Sequence, residues 1–447
     1  MTFGLRLFSV CAVAGLYGAM SPVFGQTVDV LRPTITSEAD MTAQPVVTAP
    51  PTLTIVPEEQ PAPARKPKPV SDPYAALGID MGGMNVFPSL EVGAVATSNV
   101  NKATSGEKSD LGLYLKPSLS FESDWLRHSW TGKASGDFIA YLNNDDLNAK
   151  NADIGSTFRL DIRHTTRAEF AAGYNLSQAG QENSEVPNTA IGNRTDHAFT
   201  ASGAIIQDFG GFEGRAKLAL ERNIYGDVKL SGGGSEDNSD RNTYAPSASL
   251  RLSYTEPPAL KPFVELAYAP RIHDQSRDRN GLHRDSQGYT ASAGLTLEHG
   301  PIWSGEAAIV YSVRDYADSA LETNDIFGIN GNLTWQPTDL TSVVLTLAST
   351  LDETSSATSS GTKTYSGHVD VTHALRDNLD LVAGLGLALE KVSGGTDKTL
   401  SSKLGLEWQI NPELAWTASY DGTWFNGAAS GDDYNEQRVM MGVVIRR

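Results

Sequence analysis

The sequence predicts an all-β fold: a transmembrane, antiparallel, up-and-down barrel of about eighteen strands, preceded by a disordered proline-rich arm. Three observations predict it. From residue 86 onward, segments of roughly 12–18 residues alternate apolar and polar side chains with period two, the spacing that sends successive side chains to opposite faces of a strand. The connections between them alternate short and long, the layout of outer-membrane barrels. No run of eighteen or more apolar residues occurs outside the extreme N-terminus, so membrane-spanning helices are not expected.

Residues 1–25 read as a secretory signal peptide. Arg6 precedes an apolar stretch from Leu7 to Met20, and Val23 and Gly25 supply the short residues expected before cleavage after Gly25. The single cysteine, Cys11, lies inside this segment, so the mature chain is expected to have neither disulfide nor thiol chemistry.

Residues 26–85 read as a disordered periplasmic arm. Ten of the 22 prolines fall between Thr27 and Pro73, in a stretch without an aromatic residue that includes PAPARKPKPV. Such a segment buries too little surface to fold and favours extended polyproline II. At about 3.1 Å per residue it reaches beyond ~100 Å, enough for a tether or docking arm towards peptidoglycan, or for a passive spacer.

Residues 86–447 carry the barrel pattern. Between Leu126 and Leu142, Trp130, Ala134, Phe138 and Ala140 share one parity, while Arg127, Ser129, Thr131, Lys133, Ser135 and Asp137 share the other. The same split separates Phe212, Gly214, Ala216, Leu218 and Leu220 from Glu213, Arg215, Lys217 and Glu221. The expected strands are 86–99, 110–122, 125–142, 149–162, 166–179, 195–209, 212–226, 243–255, 260–274, 286–298, 302–316, 325–336, 340–353, 362–375, 378–393, 398–410, 413–426 and 435–447. Short connections hold turn residues such as Gly210-Gly211, Pro257-Pro258 and Asn411-Pro412; the long ones, near 179–194 and 226–242 for example, are polar and glycine-rich. An even number of strands puts both termini on the short-turn side, consistent with a periplasmic arm. A soluble β-sandwich or propeller also alternates, but its strands are usually nearer five or six residues. Aromatic residues cluster near the segment ends on the apolar parity, at Trp130, Tyr254, Tyr268, Trp303, Trp335, Trp408 and Trp416, as interface girdles would place them. In lipid every backbone donor and acceptor needs a partner, and only a closed sheet leaves no edge.

The opening VFPSLEVGAVATSNV, the second strand LGLYLKPSLSFESDW and the strand count over 87–447 resemble the putative β-barrel porin 2 family of Gram-negative bacteria. The resemblance implies a porin-like outer-membrane barrel, and some members are associated with exopolysaccharide secretion. The C-terminus departs from the usual pattern: GVVIRR ends in Arg447 rather than an aromatic residue.

Catalytic and cofactor motifs are not found. The sequence has no GxSxG, HExxH or phosphate-loop pattern. His368 and His373 are expected on opposite faces of one strand, so they do not form a metal pair. The acidic loop groups Asp145-Asp146, Glu236-Asp237 with Asp240, and Asp432-Asp433 read as solvated loops sooner than as calcium sites. No enzymatic activity, cofactor or metal is expected. A net charge of −18 argues against a nucleic-acid partner.

The inward parity supplies the candidate pore-lining residues: Arg127, Lys133, Asp137, Arg159, Asp161, Arg167, Glu169, Glu213, Arg215, Lys217, Glu221, Arg251, Glu265, Arg271, Glu306, Arg314, Lys403 and Glu407. Mixed rows of charge set up a transverse field that selects solutes, or brace the wall by pairing across strands. The expected function is passive diffusion of small hydrophilic solutes. The alternatives are a barrel component of exopolysaccharide export and a structural barrel tethering the outer membrane to peptidoglycan. Expected partners are outer-membrane lipid, lipopolysaccharide and the barrel-assembly machinery, with peptidoglycan or an export complex reached through the arm. A loop folded inward near 179–194 or 226–242 would narrow the lumen.

Overall fold

In a computed structural model of the chain, the described residues are 73–447, apart from 181, 182, 184, 188, 301, 353, 355–358, 393 and 429–432. The expected signal peptide and most of the proline-rich arm lie outside them. Eighteen long strands form one antiparallel sheet: β1 (Met84–Thr97), β2 (Asp110–Ser123), β3 (His128–Tyr141), β4 (Ala149–Arg163), β5 (Thr166–Ala179), β6 (Arg194–Asp208), β7 (Phe212–Tyr225), β8 (Thr243–Tyr254), β9 (Leu260–His273), β10 (Ser286–His299), β11 (Trp303–Tyr316), β12 (Asn324–Thr338), β13 (Thr341–Asp352), β14 (Thr362–Arg376), β15 (Leu379–Val392), β16 (Gly395–Asn411), β17 (Leu414–Asn426) and β18 (Tyr434–Arg446). Each pairs with its sequence neighbours. β1 closes the cylinder on β18, from Ser89 opposite Arg446 to Thr97 opposite Arg438. The sheet therefore closes on itself, as hydrocarbon surroundings demand; β12 and β13 pair by backbone from Gly331 opposite Leu347 to Thr338 opposite Thr341, and nearer the long loops Ser349 Oγ bonds the Ile329 backbone while Ser349 N donates to Asn330 Oδ1.

The closing seam is packed around one side chain. Tyr114 of β2 lies over Gly93 of β1 and Gly442 of β18, which face each other across the seam. A Cβ on Gly93 would sit 2.6 Å from the Tyr114 ring, and one on Gly442 would collide with the Tyr114 hydroxyl oxygen. That hydroxyl donates to Glu91 Oε1 at 2.7 Å, and Thr417 Oγ1 donates to the same oxygen at 2.6 Å. Glycine leaves room here for an aromatic ring to cover exposed backbone.

The two faces separate as the alternation demands. Leu111, Leu113, Leu218, Leu250, Leu266 and Phe327 point outward and are more than half exposed. Exposed leucine in such numbers has no place on a water-facing surface, and suits a lipid-facing one. Aromatic pairs flank this band. Near the short turns are Phe121–Trp130, Phe212–Tyr254 and Trp303–Trp335, with ring centroids 5.2, 5.1 and 5.5 Å apart. Nearer the long loops are Tyr174–Phe199 and Tyr268–Tyr289, at 4.9 and 5.2 Å.

The strand edges differ from the sequence expectation by three residues at most. β3 begins at His128 rather than 125, because Asp124–Arg127 belongs to the turn. β16 begins at Gly395 rather than 398, and Val392 pairs directly with Gly395. The β15–β16 connection is thus tight, although it lies on the side where the other connections are long. Residues 73–83 already lie against the wall: Ile79–Asp80 pairs with Asn85 and Val86, and Arg446 Nη2 donates to the Tyr74 carbonyl at 3.3 Å. Both ends of the barrel segment therefore meet on the short-turn side.

Candidate functional site: the lumen and its mouth

A closed ring of eighteen strands about 4.8 Å apart and tilted about 40° encloses a cylinder roughly 36 Å across between backbones. Side chains alone cannot fill that width. The functional surface is therefore the inner wall and whatever narrows it.

Of the eighteen expected lining residues, seventeen sit on strands at the parity opposite the apolar face. Arg127 does not. It is exposed in the β2–β3 turn and donates from Nη2 to the Ile162 carbonyl at 2.9 Å. The alternation continues there into the turn that precedes the start of β3.

In the half of the barrel nearer the short turns, the charges form a chain across β4–β11. Arg159 meets Asp161 at 3.2 Å. Arg167 lies 3.6 Å from Glu169 and 3.1 Å from Glu213, and Arg215 reaches the other oxygen of Glu169 at 2.9 Å. Further round, Arg251 makes a bidentate pair with Glu306, at 2.9 and 2.6 Å, and lies 3.8 Å from Glu265. Its guanidinium also donates to Thr296 Oγ1 at 3.1 Å and rests 3.4 Å from the centroid of the Phe263 ring. The arginines of β4, β5 and β7 are thus interleaved with carboxylates, because the strand register sets acids beside them. Lys133 and Lys217 line the same wall, on β3 and β7.

The facing wall, β15–β18 with β1, carries more carboxylate. Glu407 and Asp380 are opposite each other in register, and Arg446 Nη1 donates to Glu407 at 3.0 Å. Glu91 sits at the seam with its two hydroxyl donors. Lys403 stands opposite Asp421 across β16 and β17. Glu221, Arg271 and Arg314 lie near the long loops, with Arg314 donating to Ser286 Oγ at 2.8 Å. Asp137 also lies there, on β3. Sequence reading left out Glu91, Asp380, Asp421, Glu436, Arg438 and Arg446. The same parity rule selects all of them, since each alternates with an outward residue such as Met441 or Ile445.

The long-loop mouth is spanned. The β5–β6 and β7–β8 connections, both singled out in the sequence, pair with each other: Ile191 lies opposite Lys229, and Ala190 opposite Leu230. Ala179, Val186, Ala190 and Val228 form a small buried apolar cluster beneath. From this assembly Glu185 reaches two ways. Its Oε1 accepts from Thr354 Oγ1 of the β13–β14 connection at 2.6 Å, and its Oε2 lies 3.5 Å from Arg241. Arg194, 1% exposed, fixes the base of the loop by donating to the Glu185 carbonyl at 3.1 Å and to both oxygens of Asp196 at 2.8 and 2.9 Å.

The acidic group Glu236, Asp237 and Asp240 is occupied by protein. Arg279 of the β9–β10 connection donates to Asp240 Oδ1 at 2.8 Å, to the Asp237 carbonyl at 3.0 Å and to Asn238 Oδ1 at 2.9 Å. Burial would raise the Asp240 carboxyl, but the hydrogen bonds and charge of Arg279 outweigh it and hold the group below the usual carboxylate range. His368 and His373 fall on opposite faces; His368 pairs with Asp370 at 2.7 Å, and His373 with the Thr341 hydroxyl at 2.9 Å.

Among solved structures, the chain is similar to the outer-membrane protein OpdK of Pseudomonas aeruginosa, with 12% identity, 81% of this chain and 99% of that one covered, and a TM-score of 0.39. It is similar to a BenF-like porin of Pseudomonas fluorescens at 9% identity, covering 82% and 99%, with a TM-score of 0.40. A mutant ferric enterobactin receptor of Pseudomonas aeruginosa gives 9% identity, 81% and 80% coverage and a TM-score of 0.40. No curated protein sequence matches the chain. The family model described as Putative beta-barrel porin 2 matches residues 72–447, and the chain belongs to that family of outer-membrane β-barrels.

Proposed function

We propose that this barrel is a channel for passive diffusion of small hydrophilic solutes across the outer membrane, with the short turns and both termini on the periplasmic side. One observation carries the reading: a barrel too wide for a side-chain core turns a mainly polar face inward, and that face bears charge on most of its strands. Arginines of β4–β8 face a wall richer in carboxylate, formed by β15–β18 and β1. A small dipolar solute crosses such a gap without losing polar partners, whereas an apolar one gains nothing from it. The β5–β6 connection sets an upper limit on size by spanning the mouth. The chemistry of the lumen is that of transport rather than catalysis, and the N-terminal arm would then lie in the periplasm.

Single-channel recording tests this directly. The full mature chain, purified in detergent and inserted into a planar bilayer in potassium chloride, should give discrete, long-lived conductance steps. Liposomes bearing it should swell in small sugars and not in large dextrans. A folded barrel that inserts but passes neither ions nor sugars would refute the proposal.

A further inference from the structure

Under the long loops, a cavity of about 430 Å³ opens between the barrel wall and the β1–β2, β3–β4 and β5–β6 connections. Its sides are held by specific contacts. Asp110 accepts from Asn143 N at 3.1 Å, Asn143 Nδ2 at 2.8 Å and Asn144 Nδ2 at 2.6 Å, which folds the β3–β4 connection against β2. On the other side Gly192, at φ +75°, comes so near Asp146 that a Cβ would lie 2.6 Å from its carbonyl oxygen. The strands supply Asp137, Tyr141, Asn151, Glu436 and Arg438 to the lining.

Asp137 is the anomaly. It is 7% exposed, and neither carboxylate oxygen has a hydrogen-bond partner among the described residues. A buried carboxylate ordinarily has donors around it. Arg438, which lines the same cavity, supplies Asp137 with a nearby countercharge but no hydrogen bond, and its Nε lies 3.8 Å from Asp421. The wall thus presents an acceptor whose donors are to come from something else.

The rest of the lining indicates what that is. Four carboxylates are balanced by three cations, so neither a strong anion nor a polycation matches the charge. Of the six carboxamides in the lining, Asn143 and Asn144 are committed to Asp110; others, among them Asn151 and Gln178, present groups that both donate and accept, as hydroxyl groups do. No group of three or more histidine, cysteine or acidic residues among the described residues is arranged to hold a metal ion.

We propose that this cavity is a binding site for a small, neutral, polyhydroxylated solute of mono- or disaccharide size, whose hydroxyl groups donate to Asp137. The proposal deepens the channel reading and rests on it, because the cavity lies where a solute entering past the long loops would pass. Asn151, the cross-strand partner of Asp137, shares in recognition.

Isothermal titration calorimetry of the full-length barrel in detergent micelles tests it, with maltose as probe and spermidine and inorganic phosphate as counter-probes. Maltose should bind saturably. Asp137→Asn and Asn151→Ala should each weaken it by about tenfold or more, as loss of a charged or neutral hydrogen-bonding partner does. Heat-modifiable mobility on gels should be unchanged, since Asp137→Asn removes a buried charge rather than a packing group. Absence of saturable maltose binding, wild-type affinity in either variant, or tighter binding of spermidine or phosphate would overturn the assignment. Calorimetry reads binding whether or not the barrel conducts, so failure of this site is distinguishable from failure of the channel reading.

Discussion

Removing Arg251 should destabilise the barrel more than any other single charge deletion in the lumen. Its side chain is 4% exposed and that of Glu306 is 5%, so solvent screens neither. Arg251→Met takes away two charge-assisted hydrogen bonds to Glu306, one to Thr296 and the stacking on Phe263. It also leaves Glu306 buried with Thr296 as its remaining donor, at 3.0 Å. Breaking one side of a buried pair costs about 3–5 kcal/mol, mostly from the stranded charge, which is about two to four powers of ten in the folding equilibrium. Glu306→Gln should cost less, because a neutral amide is left beside an arginine that still has Glu265 nearby at 3.8 Å. The assay is a double-mutant cycle: reversible urea unfolding of barrel refolded into phosphatidylcholine vesicles, followed by tryptophan fluorescence. The coupling energy between the two positions should exceed about 2 kcal/mol. Strictly additive single effects would refute the reasoning, since they would mean lumen water screens the pair as it does a surface salt bridge.

Four further outcomes follow from the same geometry. Arg167→Glu with Arg215→Glu should raise the cation-to-anion permeability ratio at least about twofold, read as the reversal potential across a salt gradient; an unmoved reversal potential would place these side chains off the ion path. Glu185→Ala should increase single-channel conductance by loosening the loop bridge to Thr354 and Arg241, and unchanged conductance and noise would show that the bridge does not limit flow. Gly442→Val should impair closure by colliding with Tyr114 at the seam, seen as loss of the compact form on unheated gels, and wild-type yield of that form would dismiss the seam argument. Protonating Asp240 should open the outer loops: its depressed carboxyl contributes stability that is complete above its unfolded value near 4 and is lost as pH falls through the lower folded value. Pepsin should therefore cut the β7–β8 connection increasingly as pH falls below about 4 in the wild type, with that increase absent in Asp240→Asn, and the same pH dependence in both would refute the link.

The alternation was legible because each outward residue had to suit lipid. Leu218 and Leu220 against Lys217 and Glu221 identify both faces without any knowledge of neighbours. Strand ends were legible where turn residues marked them, as at Gly210-Gly211, and failed where a polar turn kept the period by accident, as at Arg127. Height and partnership were not legible. Arg167 and Glu213 are 46 positions apart in sequence, and only the register between β5, β6 and β7 brings them to 3.1 Å. Parity says that a charge faces the lumen; register says which opposite charge it meets. The bridge from Glu185 to Thr354 was illegible for the same reason, since the two loops are far apart in sequence and only the closed sheet brings them together.

That bridge also shows how a barrel of this width narrows using loops alone. β5–β6 and β13–β14 lie eight strands apart in a ring of eighteen, so their connections start from nearly opposite walls. At about 3.3 Å per residue, out and back, the 14 residues between Ala179 and Arg194 reach some 23 Å. The nine residues between Asp352 and Thr362 reach about 15 Å. At the contact itself Glu185 lies six residues from Ala179 and Thr354 two from Asp352, a backbone reach of about 27 Å against a width of roughly 36 Å, and the two side chains with their 2.6 Å hydrogen bond make up the rest. The shorter β3–β4 connection of seven residues, and the tight turn between β15 and β16, reach less far towards the opposite wall. The length of β5–β6 is therefore a geometric requirement for spanning the mouth. Shortening it by four residues would cut its reach by about 7 Å and part Glu185 from Thr354, leaving a wider opening with the eighteen wall strands still paired.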